Sequence, residues 1–437
     1  MSNIRVILAL AATYGLDITT ADISNAFLNA DMDCELYVEM PEGFNNEVGR
    51  DGKRRVYRVR KCLFGFKQSN RLWDDLFAEH LTTKMGFVQS IADPCVYTLH
   101  KDGHTIIMAT WTDDLIIASS SKAFRDKFIA KLAQKFDLRD QGAATDILGA
   151  ELTRAQDGSL KLSMGKYVKQ LLEKAGMSDC NAVSTPAETG LRMERATSDD
   201  SACDVHFGTM NFRATVGCLI WLATVCRPDL SYITSMLCRH LSKPTPKCGP
   251  ALKRVLQYLR GAVDLGIVFG AADPTLTAWS DADWGQCPNT GRSTTGYIIT
   301  LGTGAIEWSS RLQTSVAMST CESECFAIAS AVIETDYLRG LLDEIGNATK
   351  SSCVQDQATA INVDNQSAIY DAYNRTGKRT RAINIRFHRV RQSIAQRSVR
   401  LRKVRGGNSC KSEQIADMFT KALNRPLFKA LRSRIMG

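Results

Sequence analysis

Residues 105–118 read TIIMATWTDDLIIA and place two adjacent aspartates, Asp113 and Asp114, between two apolar runs. The β-branched and aliphatic residues on both sides predict two strands joined by a tight turn, with the aspartates at the tip of the hairpin. Burial of adjacent like charges is costly unless cations neutralise them, so the pair indicates a metal site. A polar turn is the alternative, because aspartate is common in turns. The pair alone does not decide between these two interpretations.

A third carboxylate, further upstream, favours the metal site. Asp22 opens the stretch DISNAFLN (residues 22–29), where an extended segment meets a turn of small residues. Asp17 lies five residues earlier and would face the other side of a strand. Carboxylates that hold two Mg²⁺ ions about 3.5–4 Å apart are the standard arrangement for in-line displacement at phosphorus. Asp22 with Asp113 fits this arrangement.

The C-terminal third carries a second, independent set of acidic residues. Its pattern predicts a helix that contains Glu322 and Glu324, which lie about 200° apart, so only one of them can face a site. Asp281 and Asp283 share a strand face, and their spacing does not choose between them. The predicted strands cover residues 276–284, 295–302, 305–309, 360–364 and 398–404, and a closing helix covers 413–422.

The middle of the chain shows helical and strand patterns without an internal repeat. Amphipathic spacing predicts a helix over 124–136, apolar residues predict a strand over 147–152, and a helix over 166–176 ends at its glycine. The polar run at 184–202 is typical of a linker, and a basic helix is predicted over 252–261.

Composition limits the classes of function. The chain has 437 residues, 44% of them hydrophobic, which predicts two to three ordinary domains. Its net charge is +9, but residues 378–411 hold twelve Lys and Arg and no acid, so the rest carries −3. This local basic surface favours nucleic-acid binding, although a solvated charge run is the alternative. Fourteen cysteines without CxxC pairs and six scattered histidines indicate neither a zinc site nor a disulfide framework, and no segment is long enough to span a membrane.

Nine short motifs follow one another over nearly the whole chain. They are DISNAFLN (22–29), LYVEMPEGF (36–44), KCLFGFKQ (61–68), DPCVY (93–97), WTDDLII (111–117), SDADW (280–284), AMSTCESEC (317–325), VDNQSAI (363–369) and ADMFTK (416–421). In this order they resemble the reverse transcriptase and RNase H region of copia-type long-terminal-repeat retrotransposon Pol polyproteins.

The resemblance implies an α+β protein with several domains. The expected parts are a reverse transcriptase palm with partial fingers over 1–120, a thumb-like region over 121–186, a connection over 187–271 and an RNase H-like α/β domain over 272–437. The fingers segment upstream of the first strand is expected to be truncated, and the polymerase activity of this chain alone is therefore expected to be weak.

The resemblance also assigns candidate site residues by position. The polymerase metals are expected at Asp22, Asp113 and Asp114, and the RNase H metals at Asp281, Glu324, Asp364 and Asp417. The expected contacts to nucleic acid are Arg379, Arg381, Arg386, Arg400, Arg402 and Arg405. Phe64 and Gly65 match the segment that contacts the incoming nucleotide; without the resemblance, Gly65 would be interpreted as a turn glycine and Phe64 as a core residue.

The implied activities are RNA-directed DNA polymerase and ribonuclease H, with Mg²⁺ or Mn²⁺ as cofactor. The implied substrates are an RNA template, an RNA/DNA hybrid and deoxynucleoside triphosphates, and the implied partners are the integrase and protease segments of Pol. The implied location is a cytoplasmic virus-like particle, or the nucleus. The chain has Trp111-Thr112 where the family has Tyr-Val. The alternative hypothesis is a degenerate or domesticated nucleic-acid-binding protein that keeps the fold without catalysis.

Overall fold

The computed structural model describes residues 1–41, 43–44, 48–52, 55–196, 203–270, 274–349, 357–374, 385–407 and 409–437, except for the side chains of residues 385 and 386. The chain forms two compact units. The larger unit comprises Met1–Gly15, Thr145–Asn347 and Ser351–Gly437, and begins with helix α1 (Ser2–Tyr14). The smaller unit comprises Leu16–Ala144 and Ala348–Lys350. The finer division into four domains stays a prediction.

The smaller unit is built on a six-stranded antiparallel sheet. The described part of this unit contains the strands β1 (Asp17–Ile23), β2 (Tyr37–Val38), β3 (Tyr57–Arg58), β4 (Val88–Gln89), β5 (Val96–Lys101), β6 (His104–Trp111), β7 (Asp114–Ser119) and β8 (Leu138–Ala143). Strands β4, β5, β6, β7, β1 and β8 lie side by side in that order, while β2 pairs with β3. Strand β1 therefore lies next to β7, which brings the DISNAFLN stretch beside the aspartate hairpin.

Helices cover the apolar side of this sheet. They are α2 (Ser69–Glu79), α3 (Lys122–Leu132), a 3-10 helix (Ala26–Asn29) and a π-helical turn (His80–Lys84). The ring of Trp73 stacks on Phe77 at 5.2 Å between centroids, and Phe136 lies edge-on to Trp73 at 5.4 Å. These rings pack with buried aliphatic side chains of the sheet, including Met108 and Ile117. Residues of both β6 and β7 therefore belong to the core behind their turn.

The first part of the larger unit contains a four-stranded antiparallel sheet in the order β14, β11, β10, β9, and a separate β12–β13 pair. The strands are β9 (Asp146–Ile147), β10 (Ala150–Arg154), β11 (Leu160–Ser163), β12 (His206–Phe207), β13 (Met210–Asn211) and β14 (Gly266–Phe269). The helices are α4 (Gly165–Lys174), α5 (Phe212–Val225), a 3-10 helix (Pro228–Leu230), α6 (Ser231–Cys238) and α7 (Cys248–Arg260). Helix α1 is anchored in this unit by its buried Arg5, whose Nε donates to the Ile306 carbonyl (2.7 Å).

The second part of the larger unit is a five-stranded mixed sheet in the order β17, β16, β15, β18, β19. Its elements are β15 (Leu276–Ala282), β16 (Thr294–Leu301), β17 (Gly304–Leu312), α8 (Thr320–Thr349), β18 (Thr359–Val363), α9 (Gln366–Tyr373), α10 (Ile385–Ala395), β19 (Val399–Lys403), a 3-10 helix (Ile415–Phe419) and α11 (Arg425–Arg432). Strand β18 runs parallel to both β15 and β19. The carboxyl ends of β15 and β18 therefore meet at one edge of the sheet.

Two predicted elements are wrong in detail. The strand expected over 147–152 is a hairpin, because Leu148 and Gly149 both adopt positive φ (50° and 78°) and turn the chain between β9 and β10. The helix expected over 413–422 is a short 3-10 helix, and the closing helix is α11. Asn424 starts α11 by accepting a hydrogen bond from the Leu427 N–H (3.0 Å). No described helix has the length and apolar character needed to cross a membrane.

Candidate functional site

The first group of acidic residues surrounds the β6–β7 hairpin of the smaller unit. Its turn consists of Thr112 and Asp113, and β7 begins at Asp114, so the predicted hairpin is confirmed. Thr112 has a φ of 56°, in the left-handed region that β-branched residues rarely adopt. Its carbonyl accepts a hydrogen bond from Trp73 Nε1 (2.8 Å), and the Asp113 carbonyl accepts one from the Ile23 N–H (2.9 Å). These bonds fix the turn against the core and against β1.

Asp22 lies directly opposite Asp114 across strands β1 and β7. Residues opposed in this way present their side chains on the same face of the sheet. Burial raises the pKa of the Asp114 carboxyl, and the charges of Asp113 and Asp22 raise it further. The strand register thus pairs Asp22 with Asp114. From the sequence, Asp113 was the expected partner of Asp22. Asp113 is exposed, and Asp22 and Asp114 are half-buried. The sequence pattern predicted that Asp113 and Asp114 would be buried among apolar residues, and this prediction is wrong for Asp113.

The LFGF segment lies at the surface of the smaller unit. Phe64 is 92% exposed, and its ring centroid lies 6.3 Å from that of Phe27. The interpretation of Phe64 as a core residue is therefore wrong. Gly65 has a φ of 96°, which requires glycine at this turn, and a side chain there would meet open space. An exposed aromatic ring beside an open glycine turn leaves room for a ligand to approach the backbone.

The second group of acidic residues lies at the sheet edge where β15 and β18 end. Asp281, Glu324 and Asp364 each offer one carboxylate oxygen, and these three oxygens lie within 4.8 Å of one another. Asp281 is the next-to-last residue of β15, Glu324 lies in the first turns of α8, and Asp364 directly follows β18. Three elements that are distant in sequence therefore converge on one site.

Burial and mutual repulsion control the charge of this group. Glu324 is only 6% exposed, and desolvation, followed by the charges of Asp281 and Asp364, holds its pKa well above the usual range. Burial also raises the pKa of Asp364, with Asp281 as the next cause. Glu324 Oε2 is buried and has no hydrogen-bond partner among the described residues. A cation placed between these oxygens would offset the repulsion between the carboxylates and would give the buried Glu324 oxygen a partner.

Asp417 lies beside this group on the 3-10 helix. Its side chain is completely buried, and desolvation followed by the charge of Asp281 raises its pKa to about 7. Lys421 Nζ lies 2.6 Å from Asp417 Oδ1 and 3.7 Å from Asp281 Oδ2. Burial opposes the charge of Lys421, but these carboxylates, Asp281 foremost, raise its pKa. The structure therefore pairs Asp417 with an ammonium rather than including it among the three converging carboxylates.

The two choices that spacing left open are resolved by hydrogen bonds. Glu322 turns away from the group, and its Oε2 accepts a hydrogen bond from the Met318 N–H (2.6 Å). Asp283 lies beyond the end of β15, where its Oδ1 accepts a hydrogen bond from the Gln286 N–H (3.3 Å). Glu324 therefore joins the group and Glu322 does not, and Asp281 joins it and Asp283 does not.

Neighbouring residues that the sequence argument missed support the group. The Thr420 hydroxyl donates to Asp281 Oδ2, and Gln414 Nε2 donates to the Ser280 carbonyl (2.9 Å). Gly406 packs against Asp364 so closely that a Cβ would overlap its Oδ2. Both Thr420 and Lys421 lie in the motif ADMFTK, three and four residues after Asp417. This spacing places them one helical turn from Asp417, and it could have indicated that they contact the acidic group.

The basic segment is described in part. Arg379 and Arg381 lie outside the described residues, and Arg386 lies in α10 but its side chain is not described. Arg400 and Arg402 are exposed side chains on β19, the strand at the end of the sheet, and Arg405 is exposed just beyond it. Lys403, also on β19, donates a hydrogen bond to the Asp364 carbonyl. The exposed basic strand is therefore joined directly to the acidic group.

Comparison with known proteins adds a second line of evidence. Residues 1–189 match the family described as reverse transcriptase (RNA-dependent DNA polymerase). The whole chain is 32% identical to the retrovirus-related Pol polyprotein from transposon TNT 1-94 of Nicotiana tabacum and covers 32% of that protein. Over 99% of its length it is 32% identical to the Pol polyprotein from transposon RE2 of Arabidopsis thaliana, covering 28% of it.

A shorter relative is similar to about half of the chain. The chain is 34% identical over 228 residues to an uncharacterized mitochondrial protein of Arabidopsis thaliana, which is 52% of this chain and 92% of that protein. Against the two Pol polyproteins, by contrast, the chain spans less than a third of their length.

Proposed function

Because the chain belongs to the copia-type retrotransposon Pol family, we propose that it carries two phosphoryl-transfer sites of that polyprotein. The first performs RNA-directed DNA synthesis at Asp22, Asp113 and Asp114. The second hydrolyses the RNA strand of RNA/DNA hybrids at the acidic group of the larger unit. The observation that carries the proposal is the convergence of three carboxylate oxygens within 4.8 Å in a chain of this family.

The acidic group fits a divalent cation by its chemistry. Carboxylate oxygens are the ligands that Mg²⁺ and Mn²⁺ prefer. The unpartnered oxygen of Glu324 and the raised pKa values of Glu324 and Asp364 are properties of carboxylates that lack a neutralising charge. When bound, such a cation lowers the pKa of its water and offsets negative charge on phosphate oxygens.

The protein's own residues hold the acidic group in place before substrate binds. Thr420 holds the Asp281 carboxylate, and the backbone N–H of Ala282 donates to Glu324. Gly406 limits the movement of Asp364 by its close packing. Fixed carboxylates position the reacting groups without reorganisation during the reaction, which is a large part of the catalytic effect of such sites.

The smaller unit supports the polymerase assignment. Asp22 and Asp114 face each other on one sheet surface, Asp113 lies at the exposed tip, and Phe64 and Gly65 offer an accessible surface for an incoming deoxynucleoside triphosphate. In this proposal the palm with partial fingers covers 1–120, the thumb-like region 121–186, the connection 187–271 and the RNase H-like domain 272–437. The further partners are an RNA template and the remaining Pol segments, in a virus-like particle or the nucleus.

Cleavage of a labelled RNA/DNA hybrid tests the hydrolytic site. The chain should cut the RNA strand in the presence of Mg²⁺, and Asp281→Asn or Glu324→Gln should slow cleavage by about a hundredfold or more, because each removes a charged ligand. Glu322→Gln is the matched control, since Glu322 lies on the same helix outside the acidic group. If the parent chain cuts no faster than these two variants, a nucleic-acid-binding protein without catalysis becomes the better description.

Primer extension on an RNA template tests the polymerase site separately. Any Mg²⁺-dependent extension should be abolished by Asp114→Asn. Asp102→Asn is the control, because Asp102 is an exposed aspartate in the neighbouring β5–β6 hairpin and is not part of this acidic group. Equal loss in both variants would mean that the substitutions disturb the sheet and not a site.

A further inference from the structure

A cavity of about 290 Å³ lies between three segments of the larger unit. Its walls come mainly from residues 189–193, from helix α6 with the two residues that follow it, and from the loop between β15 and β16. Asn289 of this loop joins two of the segments: its Oδ1 accepts a hydrogen bond from the Arg195 N–H (2.8 Å), and its Nδ2 donates to the Met193 carbonyl (3.4 Å). The cavity is therefore held open by contacts within one unit.

Two basic side chains of this cavity have polar atoms without partners. His240 is only 2% exposed, and its Nδ1 has no hydrogen-bond partner among the described residues. Nη2 of Arg239 is also buried and lacks a partner within the same part of the chain. Burial of a polar group that gains no hydrogen bond is unfavourable, and buried polar groups usually have a partner. Both side chains therefore have hydrogen-bonding capacity left for a ligand.

The charge around the cavity is mainly positive. Burial lowers the pKa of His240, and the charges of Arg195 and Arg239 lower it further, so positive charge already surrounds the imidazole. Arg192 also lines the cavity, whereas Asp283 is the one carboxylate among the described residues of its wall. Guanidinium groups pair most strongly with oxyanions such as phosphate, to which they can donate two parallel hydrogen bonds. An anion with several acceptor oxygens therefore fits this cavity.

The cavity borders the acidic group. Asp283, on its wall, follows Asp281 by two residues, which span at most about 7 Å of chain. Successive nucleotides of one strand advance by about 3.4 Å along the axis of a duplex. A nucleic-acid strand with one phosphate at the acidic group therefore brings another phosphate to the cavity about two nucleotides away.

We propose that this cavity binds a backbone phosphate of the nucleic-acid strand that passes the acidic group. Arg239 and His240 donate to the phosphate oxygens, about two nucleotides from the bond that is cut. The inference rests on the proposed hydrolytic function and extends it by a second anchor for the strand. Contacts to phosphate fix the register of a strand without reading its bases. The cavity thus positions the strand and does not select its sequence.

Hybrids that carry one neutral linkage test this proposal without cleavage. A methylphosphonate replaces a single backbone phosphate, one position at a time, and fluorescence anisotropy in a chelator gives the affinity for the full chain. A neutral linkage at the position of the cavity should weaken binding by roughly tenfold, the effect of one charge-assisted contact. Arg239→Gln should weaken binding of the unmodified hybrid by a similar factor. In this variant the same neutral linkage should cost less than about twofold, because the contact is already lost.

Two further variants complete the test. Arg213→Gln is the matched control, because Arg213 is an exposed arginine of α5 outside the cavity wall. It should change the affinity and the effect of the neutral linkage by less than about twofold, because exposed charges are screened. Thr189 is an exposed residue of the cavity wall, so Thr189→Trp should block the cavity and reproduce the effect of Arg239→Gln without a change in charge. Thermal unfolding shows which variants are folded, and Thr189→Trp decides if Arg239→Gln is not.

Two results would overturn the proposal. One is the absence of any linkage whose effect shrinks in the folded Arg239→Gln and Thr189→Trp variants, because no backbone phosphate would then lie in the cavity. The other is binding of inorganic phosphate in isothermal titration calorimetry that Arg239→Gln abolishes, together with no such linkage, because the cavity would then take a free anion. Failure of the proposed function is distinguishable: a chain that shows the coupled linkage but cuts no hybrid keeps this inference and loses the hydrolytic one.

Discussion

At the scale of single residues, Glu324 shows that the acidic group costs stability in the absence of a cation. Burial and the neighbouring Asp281 and Asp364 raise its pKa, so the folded protein favours the protonated form. A group whose pKa is raised on folding contributes fully to stability below its unfolded value of about 4.3, and this contribution is lost as the pH rises through the folded value. The ionised form is thus disfavoured by folding.

Glu324→Gln should therefore stabilise the metal-free protein. In a chelator at pH 8, the free energy of unfolding should rise by about 1–3 kcal/mol, and the gain should shrink towards pH 4, where the wild-type carboxyl is already protonated. Urea unfolding across this pH range checks the prediction. Mg²⁺ should stabilise the wild type more than the variant, because it binds the folded state through this carboxylate.

Glu322→Gln is the control for this experiment as well. Its change in stability should stay within about 0.5 kcal/mol and should not depend on Mg²⁺, as expected for a surface substitution. A Glu324→Gln variant less stable than the wild type at pH 8 in chelator would contradict the prediction.

At the scale of elements, the β6–β7 hairpin holds a strained residue at its tip. Thr112 has a φ of 56°, whereas the neighbouring β5–β6 hairpin places Asp102 and Gly103 at its positive φ values of 53° and 77°. Asparagine and glycine adopt this region far more readily than threonine. Thr112→Asn should raise the free energy of unfolding by about 0.5–1 kcal/mol, measured by urea unfolding.

The reverse substitution in the other hairpin is the matched control. Asp102→Thr puts a β-branched residue at a comparable φ and should destabilise the chain by a similar amount. If Thr112→Asn has no effect while Asp102→Thr destabilises, the contacts of the Thr112 side chain outweigh its backbone strain.

The exposed arginines of strand β19 and of the residues just beyond it are the candidate contacts to nucleic acid. Replacing Arg400, Arg402 and Arg405 with alanine should weaken binding to hybrids of any sequence, because contacts to phosphate position a substrate without reading bases. The slope of log affinity against log salt should fall in magnitude by roughly 2–3, given about 0.9 for each phosphate contact. Fluorescence anisotropy of a labelled hybrid at several salt concentrations measures this slope.

Replacing Lys101, Lys122 and Lys127, three exposed lysines of the smaller unit, removes the same net charge. These substitutions should change the slope by less than about 0.9, the value expected for one phosphate contact. Equal slopes for the two triple variants would show that β19 contributes only to the overall charge.

At the scale of the whole chain, a buried polar network joins distant segments of the larger unit. Arg227 and Asp229 form a bidentate pair (2.9 and 2.8 Å), and the Tyr258 hydroxyl donates to Asp229 at 2.5 Å. Arg432 Nη1 of α11 donates to the Tyr258 hydroxyl (2.9 Å). Burial alone would raise the pKa of Asp229, but the charge and hydrogen bonds of Arg227 outweigh it and hold the pKa below its usual range.

Asp229→Asn should destabilise the larger unit by about 3–5 kcal/mol at pH 7, because it leaves Arg227 buried without its counter-charge. The pKa of Asp229 is lowered on folding, so its contribution is present above the unfolded value of about 3.9 and is lost as the pH falls through the folded value. The difference between the wild type and the variant should thus be constant from pH 7 to 5 and shrink only in stronger acid. Urea unfolding followed by circular dichroism measures it.

Glu188→Gln is the control for a charge pair at the surface. Glu188 pairs with Arg254 at 2.9 Å but is largely exposed, and its loss should cost less than about 1 kcal/mol. A comparable loss for both variants would mean that the buried network adds nothing beyond an ordinary ion pair.

The sequence by itself determined the elements and most of the candidate site residues. Strand and helix patterns depend on neighbours a few positions apart, so the aspartate hairpin, the five strands after residue 275 and the helix that carries Glu324 were predictable from periodicity. The motif order identified the family. Two elements were predicted incorrectly. Leu148 and Gly149 turn the chain at positive φ, an angle unusual for leucine, and Asn424 starts a separate helix three residues after Lys421.

Only the tertiary structure decided which side chains meet. The choice of Asp281 over Asp283, of Glu324 over Glu322, and of Asp114 opposite Asp22 depended on strand register and on hydrogen bonds formed after packing. The position of Lys421 between two carboxylates depended on it as well. The physical reason is that a local sequence pattern determines only the direction in which a residue points on its own helix or strand. The distance between two charges depends on how separate elements pack against each other. This distance determines the energy of burying the two charges.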